Sequence, residues 1–205
     1  MSIATLLGHF GIDVPRYIAM DGQVVIDGVT QESGGGYIHA THRSVTPVAT
    51  HTFHGGEEEP LDVEADSAPW WQNSEAIGRH VGAMKHAFPG FAFMPPSDGL
   101  PPCWIGDINT GRGTFTIGVF LRYDEGLPIV KVLKGGRLGV NAGKGWVPSE
   151  HLYLNGNLCI ADRSDWKSAH TAATATAWAA HWLAAFTEWR ITRRWPVEGF
   201  QPRAA

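Results

Sequence analysis

Apolar rings recur as Trp178, Trp182, Phe186 and Trp189, a spacing that draws one stripe along an α-helix. The segment around them, Thr171 to Arg190, is rich in alanine, the strongest helix former, so a long helix with its aromatic face on a sheet is predicted. A second helical pattern begins at Asn73 or Ser74, each a good N-cap. It carries Glu75 in its first turn, repeats at Ile77, Val81 and Met84, and stops before Pro89-Gly90. Residues 2–10 predict a short amphipathic helix with Ile3, Leu6, Leu7 and Phe10 on one side.

Strand patterns fill most of the rest. Arg16–Met20 and Gln23–Ile26 flank Asp21-Gly22, the signal of a hairpin with a two-residue type I′ turn. Tyr37–Val45 and Val48–His54 predict a strand pair folded about Thr46-Pro47. Pro95-Pro96 and Pro101-Pro102 bracket a loop. Beyond it, Cys103–Ile108, a turn at Asn109–Gly113, Thr114–Arg122 and Leu127–Leu133 read as an antiparallel meander. Lys134–Gly145 is glycine-rich and basic, and reads as a loop. Pro196 is expected to end the structured run.

Composition narrows the classes. The chain has 205 residues, 43% hydrophobic and 18% charged, enough to bury a sizeable core. A net charge of -4, with no Lys/Arg run, argues against a nucleic-acid surface. The start lacks the basic and apolar regions of a signal peptide, and no apolar run is long enough to span a bilayer. Two cysteines form no disulfide framework, which suits a cytoplasmic setting. Residues 55–69 carry six acids and no base, and are read as a solvated linker. That gives a division into a mostly-β module at 1–69 and a second domain at 70–205.

Two motifs dissolve on inspection. His39, His42, His51 and His54 invite a metal, but pairing about Thr46-Pro47 would set His42 with His51 and His39 with His54 on opposite faces. They are read as structural or surface residues, with a metal site as the alternative, and no metal or cofactor is expected. Gly139–Gly145 imitates a phosphate loop, yet Leu138 stands where its first glycine belongs and Gly145 where its hydroxyl belongs.

The chemistry gathers at Cys159. It follows the Asn155-Gly156 turn signal, with His151 eight residues before it and Asp162 and Asp165 close behind. Cys103, among apolar neighbours at a strand start, is read as a core thiol. Cys159 has three readings: a hydrolase nucleophile with His151 and Asp162, a thioester carrier passing an acyl group to an amine, or a silent cysteine in a binding module.

Asn155-Gly156-Asn157-Leu158-Cys159-Ile160, followed by Trp166-Lys167-Ser168-Ala169 and a long helix, resembles the active-site segment of ubiquitin-conjugating enzymes. That family carries Asn-Gly-x-[Ile/Leu/Val]-Cys-[Leu/Ile], then Trp-Ser-Pro and a long helix. The upstream order is similar, and Tyr123-Asp-Glu-Gly-Leu-Pro128-Ile-Val-Lys-Val132 looks like its Tyr-Pro-x-x-Pro-Pro-x-Val segment. In layout the likeness covers about residues 73–195, and in sequence it is specific over 146–168. Three features depart from it. The His-Pro-Asn tripeptide is missing, with His151 at its asparagine; Gly135–Gly145 lengthens the preceding loop; and the acidic segment after the cysteine has no counterpart. These departures resemble the divergent bacterial branch. Its members work in operons with an adenylating enzyme, a ubiquitin-like protein and often a deconjugating metalloprotease, some of them in antiphage defence.

The resemblance implies an α+β, UBC-like fold, a four-stranded antiparallel meander packed on helices. It implies that Cys159 takes a ubiquitin-like protein as a thioester from the adenylating enzyme and transfers it to a lysine or other amine of a target. His151 would stabilise the oxyanion or relay a proton, Asn155 and Gly156 would shape the turn, and Asp162 or Asp165 would orient the amine. Trp166 is expected in the core. The rival is an inactive UBC-like module that binds a ubiquitin-like protein or scaffolds a complex; a cysteine hydrolase ranks third.

Overall fold

The computed structural model of the chain describes residues 14–62, 68–97, 99–143 and 145–200, and the helix expected over 2–10 lies outside them. Strands β1 (Tyr17–Ala19), β2 (Val24–Val25), β3 (Val29–Gln31), β4 (Tyr37–His39) and β5 (Arg43–Pro47) form an antiparallel sheet of order β2-β1-β5-β4-β3. The β1–β2 hairpin is the expected one, but its loop is three residues, Met20-Asp21-Gly22. Gly22 N–H donates to Ala19 O (2.8 Å) and Ala19 N–H to Gln23 O (2.9 Å). Gly22 alone of the three has positive φ, at 96°. A three-residue loop closed by a left-handed glycine leaves Asp21 in an ordinary conformation, where a type I′ turn would strain it.

The strand pair expected about Thr46-Pro47 does not form. β4 turns back onto β5, with Tyr37 opposite Val45 and His39 opposite Arg43. The reversal falls at Thr41-His42 because His39 Nδ1 accepts both of their backbone N–H groups, at 3.2 Å each. Pro47 instead continues β5 opposite Tyr17. The next strand, β6 (His51–Thr52), leaves this sheet to pair with Gly199–Phe200. The structured run therefore passes Pro196.

Helix α1 (Ser74–Ala87) starts as predicted, with Asn73 Oδ1 accepting from the N–H of Glu75 (3.0 Å) and Ala76 (3.2 Å). It buries His80, Met84 and Ala87 on one face. The meander has β7 (Ala92–Met94), β8 (Cys103–Asn109), β9 (Thr114–Phe120) and β10 (Ile129–Lys134), order β10-β9-β8-β7, antiparallel throughout. Strand β7 is not among the elements predicted from the sequence. The glycine-rich segment folds into its own hairpin, β11 (Gly139–Ala142) and β12 (Gly145–Pro148). Helix α2 (Ala172–Thr192) is followed by β13 (Gly199–Phe200). The fold is thus a mixed α+β one with two α-helices and several antiparallel sheets among the described residues.

Burial on α2 exceeds the single stripe. Trp178, Trp182, Phe186 and Trp189 are buried, and so are Ala173, Ala175, Ala177, Ala179, Ala180 and Ala185. A helix apolar all round is one enclosed on several sides. Its small residues let α1, β1, β2 and β9 approach closely. Ile18, Val48 and Phe53 consequently share one apolar cluster with Trp104, Ile117, Val119 and the α2 rings. None of the helices among the described residues is long and apolar enough to cross a membrane.

Candidate functional site

The Asn155-Gly156 signal makes a tight reversal. Gly156 N–H donates to Tyr153 O (2.8 Å), and Tyr153 N–H to Asn157 O (3.0 Å). Gly156 takes φ 85°, and Asn155 Oδ1 accepts from Asn157 N–H at 3.0 Å. Leu152 bridges Leu158, and Cys159 N–H donates to His151 O at 3.1 Å. The eight-residue interval from His151 to Cys159 is therefore the girth of a small hairpin. Leu158 N–H fastens it to β10 through Val130 O (2.9 Å).

The main chains of His151 and Cys159 meet, but the His151 side chain is committed elsewhere. Its Nδ1–H donates to His54 O (3.0 Å), and its ring lies 4.8 Å from Trp195 and 5.8 Å from Phe53, centre to centre. Its buried Nε2 is 3.2 Å from Glu198 Oε2, without the alignment of a hydrogen bond. His151 also holds φ at 56°, a left-handed conformation rare outside glycine. Its carbonyl explains how: it accepts from Trp182 Nε1–H of α2 (3.0 Å) as well as from Cys159 N–H.

Cys159 is fully buried. Its thiol meets the Tyr153 hydroxyl and the backbone of His54. Burial pushes its pKa up to about 11; those two hydrogen bonds pull it down, and the charges of Glu57 and Asp162 add to the rise. In this arrangement the thiol is protonated at neutral pH and closed to solvent.

Residues 53–62 lie over the hairpin, and they include 55–62, the first part of the acidic segment expected to be a solvated linker. Gly56 N–H donates to Leu152 O (2.8 Å) and Leu154 N–H to Glu57 O (3.0 Å), a short extended pairing along the hairpin. A Cβ on Gly55 would come within 2.5 Å of His151 Cα and 2.7 Å of Leu152 N, so only glycine fits there. Glu59 Oε2 accepts from Asn155 Nδ2 (2.8 Å) and Asn157 Nδ2 (2.6 Å). Further along, the buried Arg122 donates to the carbonyls of Pro60 (3.0 Å) and Leu61 (2.8 Å), while Tyr123 N–H donates to Asp62 Oδ1 (2.8 Å). An open groove of ≈ 640 Å³ runs between this strap, at Phe53–Gly56, and residues 148–156.

Asp162 caps the 3-10 turn Arg163–Asp165 by accepting from Ser164 N–H (2.6 Å), and its Oδ2 lies 3.3 Å from His54 Nε2. Hydrogen bonds from Ser164, then the charge of His54, hold its carboxyl below the usual range. Asp165 is spoken for: its Oδ2 accepts from Thr52 N–H at 2.7 Å. Trp166 packs on Trp178, 6.1 Å between ring centres. Cys103 is buried at the start of β8, opposite Phe120, and burial raises its pKa.

The four N-terminal histidines disperse. His39 and His42 lie with rings 5.0 Å apart, whereas His51 is buried and its Nε2 accepts from His181 Nδ1–H at 3.1 Å. No group of three or more His, Cys, Asp or Glu side chains among the described residues has the arrangement of a metal site.

The structure thus brings Cys159, His151 and Asn155 onto one hairpin, with Asp162 flanking it. Tyr153, His54 and Glu59 complete the surroundings and were missed. Tyr153 lies inside the cysteine stretch, and its place opposite Asn157 was the one local signal for it. Glu59 and His54 reach the hairpin from about a hundred residues away and leave no trace in local pattern.

Residues 80–202, which include the whole hairpin and α2, match the family model described as Type II CBASS E2 protein. No curated protein and no solved structure matches the chain.

Proposed function

The chain belongs to the type II CBASS E2 protein family, bacterial E2-like proteins of CBASS antiphage systems, and on that premise we propose that it transfers an acyl group through a thioester on Cys159. Residues 70–205 act as the UBC-like conjugating domain, with the β-rich residues 14–62 packed against it. The adenylating enzyme of the same system presents the C-terminus of a ubiquitin-like protein as its own thioester. The Cys159 thiol gives up its proton and its thiolate attacks that carbonyl; the new C–S bond forms, the old one breaks, and the activating enzyme leaves as a thiolate that takes up the released proton. An amine, such as a lysine of the target, then attacks the Cys159 thioester. The C–N bond forms, the C–S bond breaks, Cys159 departs as thiolate, and the amine's proton passes to His151 or to water.

What carries the reading is the family match over the stretch that holds the Asn-Gly hairpin with Cys159. Asn155 and Gly156 shape the turn. Tyr153 O–H supports the thiolate, His151 stabilises the oxyanion or relays the proton, and Asp162 orients the amine. Asp165 yields that role, because Thr52 N–H occupies its carboxylate. The protein, incubated with its cognate adenylating enzyme, ubiquitin-like protein and ATP, is expected to gain a reductant-sensitive mass adduct that Cys159→Ala abolishes.

A second reading has its own observation. A fully buried thiol with its pKa raised to about 11 is what a non-catalytic UBC-like module would show. Such a module binds a ubiquitin-like protein or scaffolds a complex, and forms no adduct under any loading condition. A hydrolase is disfavoured, because His151 Nδ1–H is engaged by His54 O instead of orienting a base toward the thiol.

A further inference from the structure

Cys159 is fully buried, and from the segment 53–59 the backbone of His54 reaches its thiol and Glu57 adds its charge, beside Tyr153 of the hairpin and Asp162 just past it. That segment lies along the hairpin as an added strand. It uses Leu152 O and Leu154 N–H, the main-chain groups beside the cysteine that point out of the hairpin. It is pressed down at Gly55, which a side chain would lift off the backbone of His151 and Leu152. It is latched at its far end by Glu59 on the two amides of Asn155 and Asn157. Two consecutive glycines, Gly55 and Gly56, separate the thiol-covering residues from that latch, and the ≈ 640 Å³ groove lies alongside.

We propose that residues 53–59 are an autoinhibitory cover: they hold the face of the hairpin at which an extended acyl-donor segment must lie, and loading requires the cover to lift from Leu152–Asn157. The inference rests on Cys159 as the acyl acceptor. Its physical content is a competition for the same backbone groups and the same thiol face. Lifting the cover removes the His54 and Glu57 contacts and admits water to the sulfur. The lost His54 hydrogen bond disfavours the thiolate, but burial is the largest cause of the raised pKa, so restored hydration, with the lost Glu57 charge, makes opening expose the nucleophile and activate it together. The latch is the weak point. Its amide donors, the exposed Asn155 and the buried Asn157, lie on the hairpin turn outside the apolar core cluster.

The test is alkylation of the full chain by iodoacetamide, with Cys159 and Cys103 followed separately by peptide mass mapping. Losing both charge-assisted bonds to Glu59 in Glu59→Ala is expected to speed Cys159 modification roughly tenfold or more through a larger open population, with Cys103 unchanged. Gly55→Val, which cannot seat, is expected to speed it further. Equal Cys159 rates in wild type and Glu59→Ala overturn the cover. So does acceleration of Cys103 in step with Cys159, since that reports loss of the fold. Alkylation needs no partner protein, so the two ideas fail separately. A faster thiol with no adduct in any loading assay leaves the cover and removes the thioester reading. Efficient loading with unaltered alkylation does the opposite.

Discussion

His151 is held by constraints that do not depend on its imidazole being a base. A left-handed backbone costs a non-glycine residue about 1 kcal/mol or more, and here two donors to one carbonyl, Cys159 N–H and Trp182 Nε1–H, offset it. The ring is boxed by Phe53, Trp195 and the His54 carbonyl, and the whole arrangement faces the strap. Opening the strap would remove the His54 contact and leave Nδ1–H free to donate elsewhere. In the proposed transfer both steps would build an oxyanion, but loading would start from an acyl group already activated by another protein, whereas discharge would also have to take a proton from the attacking amine. His151→Ala is therefore expected to load to the same extent and to discharge to free lysine on the order of a hundredfold more slowly. Single-turnover loading and discharge, followed separately, check this; equal loss in both steps assigns His151 to the hairpin's shape alone. At this scale the sequence was legible where the contacts are local. The Cys159–His151 interval and the Asn-Gly turn were visible because the hairpin closes within nine residues. The His54, Glu59 and Glu198 contacts were not, since no periodicity or spacing links residues that distant.

Helix α2 connects that hairpin to the interior. Trp182 is fully buried and stacked on Phe186, with ring centres 5.6 Å apart and 19° between planes, and its Nε1–H reaches the His151 carbonyl. Trp182→Ala is expected to lose about 3–5 kcal/mol of stability, the cost of a large buried ring. Trp182→Phe, which keeps a ring but orphans the carbonyl, is expected to lose nearer 1–2 kcal/mol. Urea denaturation of both variants at neutral pH checks the order; equal losses would mean that the indole N–H contributes nothing. The helices were the most legible elements, because Asn73 caps and the Trp178–Trp189 stripe act over a few residues. The meander followed from alternation and the Asn109–Gly113 turn. What failed was pairing at a distance: β4 turns at His42 because a histidine side chain caps that turn, and β6 finds β13 across nearly the whole chain. The β11–β12 hairpin hid in a glycine-rich segment whose composition is that of a loop.

At the scale of the molecule, the enclosed α2 forces a choice about polar groups, since the segment that carries the strap enters the core beside it. His51 and His181 are both buried and meet at 3.1 Å. His51 Nδ1–H donates to Ala49 O at 2.8 Å, so its Nε2 accepts from His181 Nδ1–H, and both rings are neutral. Burial lowers the pKa of His51 to about 4, with the charge of Arg16 adding to the fall. His181 is lowered by burial, then by His51 and Arg16. Across the core His80 is also lowered to about 4, by burial and then Arg79; its Nδ1 accepts from Ala172 N–H at the start of α2, at 3.1 Å. These shifts have one sign. The unfolded chain binds protons at these histidines below the ordinary value of 6.5, while the native state resists until about pH 4. Their contribution is therefore complete above pH 6.5 and is lost as pH falls through that window. The slope is roughly 1.4 kcal/mol per pH unit for each histidine that the native state excludes from protonation. Urea unfolding at stepped pH is expected to show stability flat from pH 7 to 8 and falling steeply from 6.5 to 4. His80→Gln, which removes one of the excluded protonations, is expected to flatten that fall by about one histidine's share. A wild-type profile flat across the window would mean that these rings are protonated within the fold.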